Sequence, residues 1–413
     1  MSIPEPGSRK VLAYRLVFLM GIVSLVGDIV YEGGRSVTGP FMLVLGASAF
    51  MVALVSGLGE FIGYGLRLLS GLAADKTGNY WTFTILGYLM IGAIPLLVFA
   101  GSWQVAAILI IAERIGKGLR SPARDAILSH AAKDVGRGWG FGIAEALDQT
   151  GAIIGPLVFT LSLVASGGYR EGFALLAIPF VLLVVALFIA WKNVPDPTSL
   201  ESEPGTGRDT PAIREGRLPR VFLPYGVFTF LTMLGFAVFP LIAYHYKAFG
   251  IVPDAQIPVF YAIAMAVDGI VALIIGKLYD RKGMLALLAV PLASILVPLF
   301  AFSDGYGAAL AGAVLWGAVM GMQETILRAA IADFTSIRKR GFAYGIFNTL
   351  YGAGWFIGSL ILGYLYEISI PYVVAFMILA QLAALPALWQ VKRALDAADT
   401  GLGGGGGSGQ APG

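Results

Sequence analysis

The chain has 413 residues, of which 57% are hydrophobic and only 13% charged; a soluble protein carries about 25% charged residues. Glycine, at 55 positions, is nearly twice its usual share of about 7%, as suits helices packed closely in lipid. The net charge of +3 is too small to argue for a nucleic-acid surface, and the lack of cysteine excludes disulfides and thiolate metal sites.

A membrane-crossing helix needs about 20 mainly apolar residues. Twelve stretches qualify, at residues 12–37, 46–73, 80–101, 104–131, 138–166, 171–192, 220–247, 256–278, 284–303, 306–334, 340–367 and 369–391. Arg9, Lys10 and Arg15 precede the first, which continues to Asp28 without a small-residue cleavage pattern and reads as an uncleaved span. Residues 193–219 hold Pro195, Pro197, Pro204, Gly205, Gly207 and Pro211 among mixed charges, the composition of an exposed linker. The Gly/Ser-rich stretch from Gly401 to Gly413 is expected to be disordered. The plan is an all-α integral membrane protein with six-helix halves at 1–192 and 220–396, a linker at 193–219 and a tail at 397–413.

The halves repeat each other. Gly71-Leu-Ala-Ala-Asp75-Lys76-Thr-Gly78 follows the second apolar run, and Gly276-Lys-Leu-Tyr-Asp280-Arg281-Lys-Gly283 follows the eighth. Gly118, Gly138, Gly142, Gly151 and Gly155 recur 203 positions later as Gly321, Gly341, Gly345, Gly354 and Gly358. Such repeats place a binding site at the interface of the halves. Lys and Arg concentrate on the side of the paired turns, with Arg9, Lys10, Lys76, Lys133, Arg137, Arg281, Lys282, Arg338, Lys339, Arg340, Lys392 and Arg393. The opposite loops hold little beyond Arg35, Arg170 and Lys247. Both termini, the linker and both turns are therefore expected in the cytoplasm, with the chain in the cell membrane.

The charges inside the spans carry the chemistry. Asp28, Glu32 and Arg35 fall at i, i+4 and i+7 on one face of the first span, beside Tyr31. A charge at the bilayer centre costs about 2.5–3.5 kcal/mol even on lenient scales, so these groups face a cavity or a partner. They form either a salt-bridge brace or a proton site at Asp28 or Glu32. The fourth span carries Arg114, Lys117, Arg120 and Arg124, a stripe matched by Asp125 and by Glu145 and Asp148 of the fifth, or else a ladder for an anionic or zwitterionic cargo. Depth counted from the span ends lets Asp28 pair with Arg114. Glu324 and Arg328 form an i, i+4 pair on the tenth span. Glu60 and Asp268 lie near mid-depth without a local partner and are weaker candidates for proton or cargo binding.

Gly151-x3-Gly155-Pro156 reads as close helix packing with a kink, with Gly354-x3-Gly358 as its packing partner by symmetry. Asn348, Tyr351 and Trp355, and Tyr244, His245 and Tyr246, are candidates to line a cavity or to face lipid. His130 and His245 are the only histidines, and no ligand spacing argues for a metal. Gly136-Arg-Gly138-Trp-Gly140 lacks the strand and the Lys-Ser/Thr of a phosphate loop. No nucleophile triad is present, so an enzyme is not expected, and no cofactor.

With these motifs in place, the chain resembles the major facilitator superfamily over its twelve spans. Gly71, Asp75, Lys76 and Gly78 match that family's signature between spans two and three, with Asn79 and Tyr80 replacing its final bases. Gly276, Asp280, Arg281 and Gly283 repeat it. Arg114 and Gly118 fit its span-four motif, and Gly151-x3-Gly155-Pro156 fits a motif of its proton-driven exporters, with Ser359 replacing the proline in the second half. The run Glu113-Arg114 to Arg124-Asp125 is similar to a little-characterised prokaryotic branch. The resemblance implies alternating access, a cavity lined by spans one, four, seven and ten, and gating at the paired turns with Arg124, Glu324 and Arg328. It implies a proton-coupled antiporter of a small molecule. From their burial and spacing Asp28 and Glu32 are expected to take the proton with Arg114 responding, and the chain is expected to be a monomer. The rival readings are a metal-ion or organic-anion carrier or uniporter, and a membrane receptor or assembly component built on the same fold.

Overall fold

The computed structural model describes residues 6–197, 221–335 and 340–403. Most of the linker, Arg338, Lys339, the side chains of Arg9, Lys133, Arg137 and Arg340, and the tail from residue 404 lie outside that description. The described residues form helices and short 3-10 segments. In chain order the helices are α1 (Pro6–Arg35), α2 (Thr38–Val44), α3 (Ala49–Thr77), α4 (Tyr80–Leu89), α5 (Trp103–Val135), α6 (Arg137–Ser166), α7 (Tyr169–Leu175) and α8 (Ala177–Asn193). They continue with α9 (Phe222–Leu234), α10 (Phe239–Ala248), α11 (Ile257–Lys282), α12 (Ala289–Ser294), α13 (Leu296–Ala301), α14 (Tyr306–Phe334), α15 (Arg340–Ile368) and α16 (Ile370–Gly403).

Ten stretches are long and apolar enough to cross a membrane. One of them, Asp254–Ala301, contains two crossings, because the chain turns at Gly283 with φ +55°. The remaining crossing is α5, a helix of 33 residues interrupted in hydropathy by its charges. The described residues thus supply twelve helical crossings. Helix α16 runs on through 397–403, past the predicted end of the second half, because Ala397, Ala398 and Asp399 continue the helix before the glycines begin.

The two halves pack alike. In the first, α1 lies against α6 and α8, and α3 against α5. In the second, α9 lies against α15 and α16, and α11 against α14. The halves meet where α3 packs on α15 and α6 on α11. Glycine permits these approaches. A Cβ at Gly155 would fall 2.8 Å from the Gly33 nitrogen and onto the Ile29 carbonyl, and one at Gly354 would fall 2.6 Å from the Phe230 carbonyl. Gly151 meets α1 at Leu25 and Asp28, and Gly358 meets α9 at Leu234. Pro156 lies inside α6, whose helix continues to Ser166.

The break between α9 and α10 exposes backbone carbonyls that hydrocarbon cannot satisfy. Trp316 Nε1 donates to the Ala237 carbonyl at 2.9 Å, and Gln381 Nε2 to that of Thr232 at 2.9 Å. On one face of the bundle α2 packs against α10. Residues 38–42 and 239–246 are buried there, and Gly39 sits against the Pro240 carbonyl. A surface cavity of about 520 Å³ lies at the edge of that contact, between α2, α7 and Lys247, and the other face, which bears the Asp75 turn, holds one of about 520 Å³ between the halves.

Candidate transport site

Helix periodicity brings one face of α1 onto α3 and α5, and a buried charge network forms there. Glu60 is its hub. It accepts from Arg35 Nη2 at 2.8 Å and lies 3.3 Å from Arg114 Nη1. Arg35 Nη1 is 3.8 Å from Glu32, and Arg114 Nε is 3.6 Å from Glu113. Glu113 also accepts from Arg120 Nη2 at 3.2 Å, and Arg120 Nη1 donates to the Gly87 carbonyl at 3.4 Å. Tyr31 lies amid the cations. Its hydroxyl accepts from Arg35 at 3.1 Å, from Lys117 at 3.2 Å and from Arg114, while Lys117 Nζ and the Arg114 guanidinium lie 4.4 and 4.7 Å from its ring centre. Buried charges persist only when paired and hydrogen-bonded, and here each carboxylate meets a cation.

The network reaches across the halves at two points. Tyr261 of α11 donates to Glu32 Oε2 at 2.6 Å. Tyr64 of α3 donates to Glu324 of α14 at 3.4 Å. Glu324 is 3.9 Å from Arg328, as their spacing predicts.

The expected pairing of Asp28 with Arg114 does not form. Arg114 turns to Glu60 and Glu113, whereas Asp28 points at α6, where its Cβ packs against Gly151. Arg114 instead meets α1 at Tyr31 and, through Glu60, at Arg35, up to about two turns further along the same face. Asp28 is half-buried and shares its surroundings with Asp148, Glu32, Lys117 and Arg120. Arg124 binds Asp125 at 3.0 Å, Asp148 at 3.6 Å and Ser24 at 3.2 Å, whereas Glu145 is exposed.

The paired turns adopt their expected geometry. Gly78 has φ +69° and donates to the Ala74 carbonyl at 2.8 Å, and Gly283 caps α11 onto Tyr279. Side chains with a Cβ rarely take these angles. Asp75, Lys76, Asp280 and Arg281 are exposed, and Tyr80 donates to Asp75 at 3.2 Å. Gly71 and Asp75 line the 520 Å³ cavity with Gly341 of the first turn of α15. Gly276 lies 3.6 Å from Thr325 of α14, measured from its would-be Cβ.

Asn348 lines that cavity too, while Tyr351 and Trp355 are buried in aromatic contacts behind it. Tyr244, His245 and Tyr246 are buried beneath the sealed face, where His245 Nδ1 pairs with the Tyr366 hydroxyl at 2.9 Å. Sequence reasoning passed over Tyr64, Tyr261 and the bridging role of Glu113. Their signal was faint: Tyr64 follows Glu60 by one turn, and Tyr261 precedes Asp268 by two. Among the described residues no cluster of three or more metal-binding side chains occurs.

Twelve crossings in two like-packed halves, with buried charge between them, define a membrane protein of the secondary-transporter class. Residues 24–359 match the Major Facilitator Superfamily, and the chain belongs to it. An uncharacterized protein of Mycobacterium tuberculosis is 43% identical over 382 residues, covering 92% of this chain and 93% of that one. An uncharacterized MFS-type transporter of Methanocaldococcus jannaschii is 29% identical over 368 residues, covering 86% and 89%. The crystal structure of the nucleoside transporter NupG shares the fold, with a TM-score of 0.70 at 13% identity over 92% of this chain and 99% of that one.

Proposed function

We propose that the chain is a proton-coupled antiporter that exports a small solute by alternating access. The halves are taken as 1–192 and 220–396, with both termini and the paired turns in the cytoplasm of a cell whose membrane it spans. One observation carries the coupling: Glu32 accepts a 2.6 Å hydrogen bond from Tyr261 of the other half and lies 3.8 Å from Arg35. An ionised acceptor makes such a bond about twice as strong as a neutral one. A proton on Glu32 weakens the bond between halves and frees Arg35 to bind Glu60 alone. Arg35 and Arg114 share Glu60, so the change passes along α1 to α5. Asp28, beside Asp148, is the second proton position. Proton occupancy then biases which arrangement of the halves is populated. The direction of transport rests on Gly151-x3-Gly155-Pro156, the motif of the exporters this chain resembles.

A stabilisation screen of the purified protein at two pH values identifies the cargo, since a ligand bound only by the folded state raises its melting temperature. In proteoliposomes loaded with that cargo, an acid-outside gradient should accelerate its exit. In Glu32→Gln, exchange of labelled for unlabelled cargo should persist while the response to the gradient is lost. A gradient response unchanged in Glu32→Gln would falsify the assignment.

A further inference from the structure

Arg67 of α3 stands apart from the charge network. Among the described residues it has no ion pair, and its buried Nε has no hydrogen-bond partner. Its guanidinium lies 4.4 Å from the centre of the Tyr64 ring, a contact that fixes the group without using its N–H donors. The nearby acids are engaged elsewhere. Glu324 takes Tyr64 and Arg328, Asp125 takes Arg124 at 3.0 Å, and Asp75 takes Tyr80. Arg67 and Arg328 line the same 520 Å³ cavity, one from each half, and its wall also holds Asp75 and Asp125, bonded to Tyr80 and Arg124.

A cavity of this volume holds a small organic molecule. Its wall adds the Asn348 side chain and the first turn of α15, where backbone N–H groups lack helical partners and favour an anion. Leu72 and Phe342 supply apolar surface beside the cations.

We propose that this cavity binds the anionic group of a small organic solute, a carboxylate, sulfonate or phosphate, between Arg67 and Arg328. Guanidinium groups match such oxyanions with paired N–H donors. The bound anion takes up the unused N–H donors of Arg67 and so ties the turn-face ends of α3 and α14 together. The inference rests on reading the chain as a solute carrier and names the chemistry of its cargo.

The test measures melting temperature of the full chain in phosphatidylcholine nanodiscs at one pH. Millimolar phosphate, succinate and ethanesulfonate are each compared with chloride at equal ionic strength. At least one should raise the midpoint by about 2 °C or more. Arg67→Gln and Arg328→Gln should each abolish the rise. Arg67→Lys, which keeps the charge and loses the paired donors, should reduce it, and exposed Lys277→Gln should leave it intact. Should Arg67→Gln fail to fold, Arg67→Lys and Arg328→Gln carry the comparison. The proposal is overturned if no anion stabilises the wild type, or if the rise survives in the glutamine variants. It is also overturned if only phosphatidylglycerol in the nanodisc stabilises, which assigns the arginines to a lipid headgroup. The assay uses no gradient and no transport, so loss of proton coupling and loss of anion binding are read separately.

Discussion

At Glu60 a single carboxylate answers two buried guanidiniums, Arg35 at 2.8 Å and Arg114 at 3.3 Å. Removing one member of a buried pair costs about 3–5 kcal/mol, because the other charge is left without compensation. Glu60→Gln should therefore lower the melting temperature sharply, and Glu60→Asp less so. Glu145 is exposed on α6, and Glu145→Gln should stay within about 0.5 kcal/mol of wild type. Equal shifts for the two glutamine variants would show that Glu60 is not the hub. The sequence marked Glu60 as an acid at mid-depth but not its partners, which lie 25 and 54 positions away on other helices. Asp28 illustrates the opposite error. Depth counted from the span ends matched it to Arg114, but Arg114 shares Glu60 with Arg35, about two turns along the same face of α1, so the axial offset between helices decided the pairing.

Helix pairing turns on small residues at a few contacts. Gly155 lies where any Cβ meets the Ile29 carbonyl of α1, a backbone atom that cannot move aside, whereas nothing lies within 4 Å of a Cβ at Gly142 on the same helix. Overpacking costs about 1–3 kcal/mol, and alanine in a helix interior gains about 0.5–1 kcal/mol over glycine. Gly155→Ala should therefore destabilise and Gly142→Ala should be neutral or slightly stabilising, as read by thermal unfolding in detergent. A reversed order would refute the packing argument. The 203-residue repeat marked these glycines as close-packing positions but not their neighbours, since Gly354 and Gly358 meet α9 as Gly151 and Gly155 meet α1, rather than each other. Helix α5 was legible as the apolar stretch 104–131 despite its charges. The breaks in α9–α10 and α12–α13 were not. The break between α9 and α10 depends on carbonyl partners, Trp316 and Gln381, which only the assembled bundle supplies.

For the molecule as a whole, the seal made by α2 on α10 and the open cavity on the turn face describe one arrangement of two halves. Alternating access requires a second arrangement in which that seal parts. The contact at Gly39 and Pro240 is backbone against backbone, so a side chain there wedges the face apart without touching the charge network. The absence of cysteine makes the consequence measurable, since one introduced thiol is the only thiol in the chain. Ser36 is fully buried under the seal. In Ser36→Cys, a membrane-impermeant maleimide should react slowly, because the thiol is exposed only when the face opens. Adding Gly39→Val should raise the labelling rate several-fold by destabilising the closed face. Ligand binding from the turn face should be weakened in the same protein, because a ligand that prefers one arrangement loses affinity as that arrangement is depopulated. Labelling that stays slow in the double variant, with the protein still folded, would mean that α2 and α10 part by a route that does not pass through Gly39.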